Sequence, residues 1–224
     1  MKIDIINTGS DGNAILIDDR LLIDAGVSYA MLKDYDIETV LLTHIHGDHF
    51  NPSTIRKLAV EKECLFVCGD FLRERLASMG MPQEQILTIS EMAKLPSGHY
   101  VVPVTLYHDV QNIGWRIRRG DHLHFHATDT AHLNGITAMD YDTATIECNY
   151  EMQLANAIIE EAKFHGEYTH LARAVETHLS VQQTVRFVQE NRIRRLIPVH
   201  IGNSTKEAVL EYLKNNCERA RYVQ

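Results

Sequence analysis

Residues 44–49 read His-Ile-His-Gly-Asp-His, three imidazoles and one carboxylate in six positions, directly after the apolar residues 40–42. Neutral imidazole is the commonest zinc donor and carboxylates can bridge paired ions, so the crowding points to metal chemistry. The spacing His44-x-His46 puts both rings on one side of an extended segment. Gly47 lets the chain turn, so that Asp48 and His49 can face a second ion. Thirteen histidines in 224 residues raise the same expectation.

The cluster has company at the ends of other apolar runs. Asp24 ends Leu-Leu-Ile, His44 follows a run closed by Thr43, and His108 ends the run through Tyr107. Asp129, Glu147 and His200 occupy the same place in three later runs. Strand ends are where a rigid sheet aims side chains into a common cleft. Each residue alone reads as a cap or turn residue; together they read as a site. A closed structural zinc needs only about four ligands, fewer than the roughly seven donors on offer.

The elements that must hold these residues follow from periodicity. Residues 2–6 alternate, and two apolar runs flank Asp18-Asp19, which predicts a tight hairpin. Asn51-Pro52 predicts a helix start running to about Lys62, residues 64–68 a buried strand, and Gly80 the end of a short helix. Strands on either side of Gly120-Asp121 are expected to pair. The last third reads as helices over residues 150–166 and 180–191, then a buried strand ending on His200. The Ser204-x-x-Glu207 spacing predicts a capping box on the final helix. Strands with helices, twice over and with no linker or repeat, predict one layered α/β domain spanning residues 1–224.

Composition narrows the class. Apolar content of 45% supports a real core, and a formal charge of −8 repels polyanions at long range. Bound cations or local arginines can reverse that field. Arg-Ile-Arg-Arg occurs at Arg116–Arg119 and again at Arg192–Arg195, either a phosphate-gripping patch or a solvated strand face and helix end. His122, His124 and His126 share one strand face, and half-exposed sheet histidines are expected there ahead of a third metal site. Ser10, Asp11, Gly12 and Asn13 suit either an anion-binding turn or a plain β-turn. Cys64, Cys68, Cys148 and Cys217 lack zinc-knuckle spacing, so buried free thiols are expected. No run reaches membrane-spanning length and none resembles a secretory leader, which predicts no membrane partner and a cytoplasmic setting. A homodimer is compatible with all of this.

With those residues in place, the chain resembles the metallo-β-lactamase-fold hydrolase superfamily. His44-x-His46-x-Asp48-His49, preceded by Asp24 and followed by His108, Asp129 and His200, matches its motifs in order over most of the chain. The resemblance implies a four-layer αββα sandwich and two divalent metal ions, Zn2+ foremost, with Mn2+ or Fe2+ as alternatives. It gives His44, His46 and His108 to one ion, and Asp48, His49 and His200 to the other. Asp129 bridges them, and Asp24 orients a ligand without binding metal. It also implies hydrolysis by a metal-activated water, with Asp48 counted in the catalytic set.

Motif details then select among hydrolases. β-Lactamases of the superfamily commonly lack the histidine that follows the aspartate, and flavodiiron relatives typically carry glutamate where His46 stands. Glu147 and His178 resemble the paired motifs of the RNase Z-like phosphodiesterase branch, where the histidine serves the leaving oxygen and the glutamate orients it. Only twenty residues separate His108 from Asp129, too few for the tRNA-clamping arm of tRNA-processing members. The Gly-Ser-Asp-Gly-Asn turn at residues 9–13 and the segments at 108–117, 127–130, 146–149, 178–180 and 200–203 resemble the small bacterial and phage YycJ-type exonucleases. Tyr150, where those proteins usually have histidine, and Val181, where they usually have asparagine, depart from the pattern and leave the substrate open. The expectation is a dinuclear phosphodiesterase or nuclease acting on a DNA end, RNA or a small nucleotide. A cyclic-nucleotide phosphodiesterase and a glyoxalase II-like thioester or lactone hydrolase are the enzymatic alternatives, and a metal-loaded binding protein is the non-enzymatic one.

Overall fold

In a computed structural model the described residues are 1–220. The single domain expected over residues 1–224 therefore runs four positions past them. The described chain divides into two compact units, Met1–Val104 with Trp115–His122, and Thr105–Gly114 with the chain from Leu123 onward.

In the first unit, β1 (Ile3–Asn7), β2 (Ala14–Ile17), β3 (Leu21–Ile23), β4 (Thr39–Leu41), β5 (Leu65–Cys68) and β6 (Ile86–Thr88) form one sheet in that order. β1, β2 and β3 pair antiparallel, and β3 through β6 pair parallel. Asp18 and Asp19 both take left-handed φ, 50° and 63°, the conformation a tight hairpin turn of this hand demands. Helix α1 (Pro52–Glu61) starts where expected, with the Asn51 side chain accepting from the Ser53 and Thr54 amides. Its Ile55, Leu58 and Ala59 share a core with Leu22, Val40, Leu42 and Phe66. Helix α2 (Arg73–Ser78) is closed by Gly80 at φ 79°.

The second sheet runs from β7 (Ala93–Lys94) through β8 (Tyr100–Tyr107), β9 (Gln111–Arg119), β10 (His122–Ala127) and β11 (Thr143–Glu147) to β12 (Leu196–Val199). β10, β11 and β12 are parallel. Helices α3 (Met152–His165), α4 (Leu171–Thr177), α5 (Val181–Glu190) and α6 (Lys206–Asn216) belong to the second unit. Ser180 and Gln183 make a reciprocal capping box on α5, and Gly166 closes α3 at φ 70°.

Two expectations are corrected. The final helix has no capping box at Ser204 and Glu207: Thr205 is its N-cap, Ser204 sits in a 3-10 turn, and the Ser204 hydroxyl meets His170 Nε2 at 3.0 Å. His124 and His126 are buried, not half-exposed, because Thr143 and Thr145 of the adjoining β11 hold their rings by hydrogen bonds of 2.9–3.0 Å. Helix α4, seven residues with no side-chain cap, adds to the helices that periodicity predicts. The four cysteines are free and buried as expected, and burial pushes the Cys64 and Cys68 thiols up to about 12.

Strand polarity decides which residues gather. In the first unit β3 and β4 run together with Ile23 opposite Leu41, so Asp24 and the Thr43-His44 segment emerge at one sheet edge. In the second, Ala127 pairs with Ile146 and Glu147 with Val199, so Asp129, Glu147 and His200 share an edge. Both arginine clusters fall elsewhere. Arg192–Arg195 precede β12, at the end opposite His200, and pair with Asp140 and Asp142. Arg116–Arg119 close β9 at its hairpin end, whereas Asn112 at its start donates to the carbonyls of Thr128 and Asp129.

Candidate metal centre

In the first unit, Asp24, His44, His46, Asp48 and His49 come together. Asp24 is fully buried with φ 58°, a backbone state rare for a residue with a side chain. Its Oδ1 accepts the Thr43 amide at 2.9 Å, and its Oδ2 accepts His49 Nδ1–H at 2.6 Å. The Thr43 hydroxyl donates to Asp24 at 2.9 Å, which leaves its oxygen to accept His44 Nδ1–H, also at 2.9 Å. A carboxylate only accepts, so one side chain fixes the tautomer of two rings and leaves each Nε2 as the lone-pair nitrogen. Burial pushes the Asp24 carboxyl above its ordinary range, against the pull of His49 and of the Thr43 hydrogen bonds. The His44 ring lies 4.9 Å from that of His46 and 4.3 Å from that of His49, centre to centre. Asp48 Oδ2 is 3.5 Å from His49 Nε2.

The turn at residues 9–13 proves to be the clamp on this loop. The Asn13 amide nitrogen reaches the carbonyls of Gly9 and Asp48, each at 3.1 Å, and His49 Nε2 at 2.9 Å. Asn13 N donates to the same Asp48 carbonyl at 2.6 Å. Gly26 lets the backbones interlock, since a Cβ there would stand 1.8 Å from the Asp48 carbonyl oxygen. Ser10 and Asp11 supply nothing to the cluster. Thr43 and Asn13 carried no motif signal beyond their closeness in sequence to the ligands and the Gly-Asn turn.

In the second unit, His108, Asp129, Glu147, His178 and His200 come together. One ligand-type atom from each of Asp129, Glu147, His178 and His200 lies within 4.8 Å of the others. Asp129 and His200 take left-handed φ of 57° and 50°, the same rare backbone as Asp24. Asp129 Oδ1 is 3.5 Å from His200 Nε2 and 3.9 Å from His108 Nε2. His108 Nδ1–H donates to the Thr177 carbonyl at 3.0 Å, which again leaves Nε2 as the lone-pair nitrogen. Burial lowers the His108 pKa, against the raising charges of Asp129 and Asp109, and so favours the neutral, ligating ring. His200 is held differently: the Asn149 amide nitrogen meets its Nδ1 at 3.1 Å and its carbonyl at 3.3 Å. Ligation through Nε2 would require that amide to turn its oxygen toward Nδ1.

Glu147 is fully buried and has three donors. Its Oε1 accepts the Thr130 amide at 2.7 Å and the Leu179 amide at 3.1 Å, and its Oε2 accepts His178 Nδ1–H at 2.8 Å. The His178 ring stacks on that of His200 at 5.3 Å, tilted by 15°. Tyr150 is buried among Ala155, Ile159 and Leu171, and burial with the Glu147 charge pushes its hydroxyl up to about 12. Val181 is likewise buried, as the first residue of α5. Asn149, Asp109 and the Thr177 carbonyl belong to the site's support; Asp109 and Asn149 lie in segments that carry the family resemblance, whereas Thr177 had no signal beyond adjacency to His178.

Buried imidazole nitrogens with fixed tautomers, beside carboxylate oxygens, make a donor set that suits a divalent cation. Residues 19–201 match the model of the beta-lactamase superfamily domain. No curated protein sequence matches the chain. Among solved structures, the metallo-beta-lactamase fold protein YhfI from Bacillus subtilis is similar with a TM-score of 0.75 and 14% identity, over 99% of this chain and 95% of that one. A diphosphatase of the PhnP family is similar at 0.69 and 14% identity, over 99% and 93%. The short form of human tRNase Z is similar at 0.63 and 14% identity, over 100% and 96%. Two mixed sheets with helices against them, in this strand order, are the metallo-β-lactamase fold expected for the sequence.

Proposed function

The chain belongs to the beta-lactamase superfamily, and with metal-dependent hydrolases among its solved relatives we propose that it is a dinuclear phosphodiesterase, with a nuclease the favoured form. In this reading residues 1–224 act as one domain. His44, His46 and His108 would hold one divalent cation, Asp48, His49 and His200 the other, and Asp129 would serve both. When bound, such a pair would supply an activated water and offset charge on the phosphoryl group. The nitrogen-rich donors favour Zn2+, with Mn2+ or Fe2+ as alternatives.

The observation that carries the reading is the Glu147–His178 pair. Glu147 is pinned by two backbone amides and accepts a hydrogen bond from His178 Nδ1. With Nδ1 held by the carboxylate, Nε2 is the nitrogen that would carry a proton to a leaving oxygen. An alkoxide leaving from phosphorus needs that proton. A thiolate, with a pKa of about 8.5, leaves without it, so the pair is suited to phosphodiesters more than to thioesters. The diphosphatase and tRNase Z likenesses accord with a phosphoester substrate.

The test compares leaving groups. In the metal-loaded protein, His178→Ala should lower turnover of a dinucleotide by about 10²–10⁴-fold. Bis(p-nitrophenyl) phosphate, whose phenolate leaves unaided, should lose far less, and metal content should hold. Equal losses on both substrates would remove the proton-delivery role. Turnover of a thioester alone, in a panel with linear and circular DNA, RNA and cyclic nucleotides under Zn2+ and Mn2+, would overturn the phosphodiesterase reading.

A further inference from the structure

The two arginine clusters that looked suited to gripping phosphate lie at the sheet ends away from His200 and Asp129, several of their guanidiniums tied to aspartates. In the second unit a different arginine stands beside the site. Arg173, in the middle of α4, pairs with the Asp109 carboxylate, and the other oxygen of Asp109 lies 3.2 Å from His108 Nε2. His108 turns Nδ1 to the Thr177 carbonyl, so Nε2 is its working face and Asp109 borders that face directly. The end of α4 is held to the same place: Thr177 accepts from His108, and His178 follows as the C-cap. The Arg173 side chain is still 66% exposed. A guanidinium has five N–H donors, so pairing with one carboxylate oxygen leaves most of them facing solvent at the rim.

We propose that Arg173 is a substrate-binding residue that grips a phosphate flanking the scissile one, with Asp109 as the residue that positions it. The inference rests on the phosphodiesterase reading and extends it to a substrate class. Arg173 is separated from the working nitrogen of His108 by the width of a carboxylate. It is therefore placed for the next anionic group along a strand and not for the phosphorus under attack. Planar paired donors suit phosphate oxygens. The substrate is then a nucleic-acid strand or a nucleotide with a further phosphate. In a chain of charge −8, a local cation is also what lets such a substrate approach.

The metal-loaded protein and its Arg173→Ala and Arg173→Lys variants should be compared on a 5′-phosphorylated single-stranded oligonucleotide and on bis(p-nitrophenyl) phosphate. Arg173→Ala should raise KM for the oligonucleotide about tenfold with kcat largely kept, the mark of lost uniform binding. The loss should be several-fold larger than on the single-phosphate ester. Fluorescence anisotropy should show the slope of log affinity against log salt shallower by about 0.7, one phosphate contact on a single strand. Arg173→Lys should restore the slope but only part of KM, because it keeps the charge without the fork. Equal losses on both substrates, or a salt slope unmoved by Arg173→Ala, would overturn the proposal. Wild-type turnover of bis(p-nitrophenyl) phosphate reports separately on the phosphodiesterase reading, so either idea can fail without the other.

Discussion

Two aspartates at opposite ends of β3 each stand in left-handed backbone beside a buried histidine, Asp18 against His99 and Asp24 against His49. The hairpin pair carries its own cation. Arg119 donates to Asp18 Oδ2 at 2.7 Å and the Lys2 amide to Oδ1 at 2.7 Å, while His99 takes Ser97 on its other nitrogen at 2.9 Å. Burial alone would raise Asp18, yet these partners bring its carboxyl down to about 2. At the site pair burial wins, and the Asp24 carboxyl is pushed upward. Its partners are a neutral hydroxyl, an amide and an imidazole. The hairpin has a complete charge balance within the chain. At the site the partners are neutral, and under the proposed metal reading a cation held by the rings would balance the Asp24 charge.

That contrast is easiest to break at Asp24. Asp24→Asn keeps the shape but replaces an obligate acceptor by a group that also donates, so both the His49 tautomer and the Thr43–His44 relay lose their fixed direction. Metal affinity should fall about 10–100-fold, read by competition with a chelator, and hydrolysis should fall with it at limiting metal. The matched change at the hairpin, Asp18→Asn, should leave metal affinity where it was. Its cost should be about 1–2 kcal/mol of stability in denaturant titration, from weakened charge-assisted hydrogen bonds to a half-exposed arginine. Asparagine tolerates left-handed backbone, so strain should add little. If Asp18→Asn reduced metal affinity as much as Asp24→Asn, the division between a structural and a site-orienting pair would not stand.

The same division explains what the sequence could disclose. Residues at strand ends were legible because an apolar run with a polar terminus is a local pattern, and parallel pairing delivers Asp129, Glu147 and His200 to one edge whatever the loops do. The Glu147–His178 pairing was legible only through family resemblance, since 31 positions separate the two. The relay through Thr43, the Asn13 clamp and the Asn149 contact were not legible. Each depends on which way one hydroxyl or amide points, and nothing in residue type encodes that. No local pattern marks His99, whose staple to the Asp18 turn spans 81 positions. At Ser204 the spacing allows a capping box, but tertiary contact with His170 takes the hydroxyl.

The smallest effect lies in acid. Burial lowers the His99 pKa despite the Asp18 carboxylate, so the folded ring is the weaker base and the unfolded chain binds the extra proton first. Stability tied to His99 is therefore present above the ordinary histidine range, near 6.5, and declines as pH falls below it. Asp18 acts later. Its carboxyl titrates at about 2 in the folded chain, so its contribution is full above the unfolded carboxylate range, near 4, and is lost as pH falls toward 2. Both slopes have the same sign, and Asp18→Asn should flatten the lower step while leaving part of the upper one. Urea midpoints of the metal-free protein measured from pH 7 to pH 3 would show this. An unchanged lower limb in Asp18→Asn would mean that the hairpin pair contributes nothing to acid stability, and that its charge balance is a property of the folded turn alone.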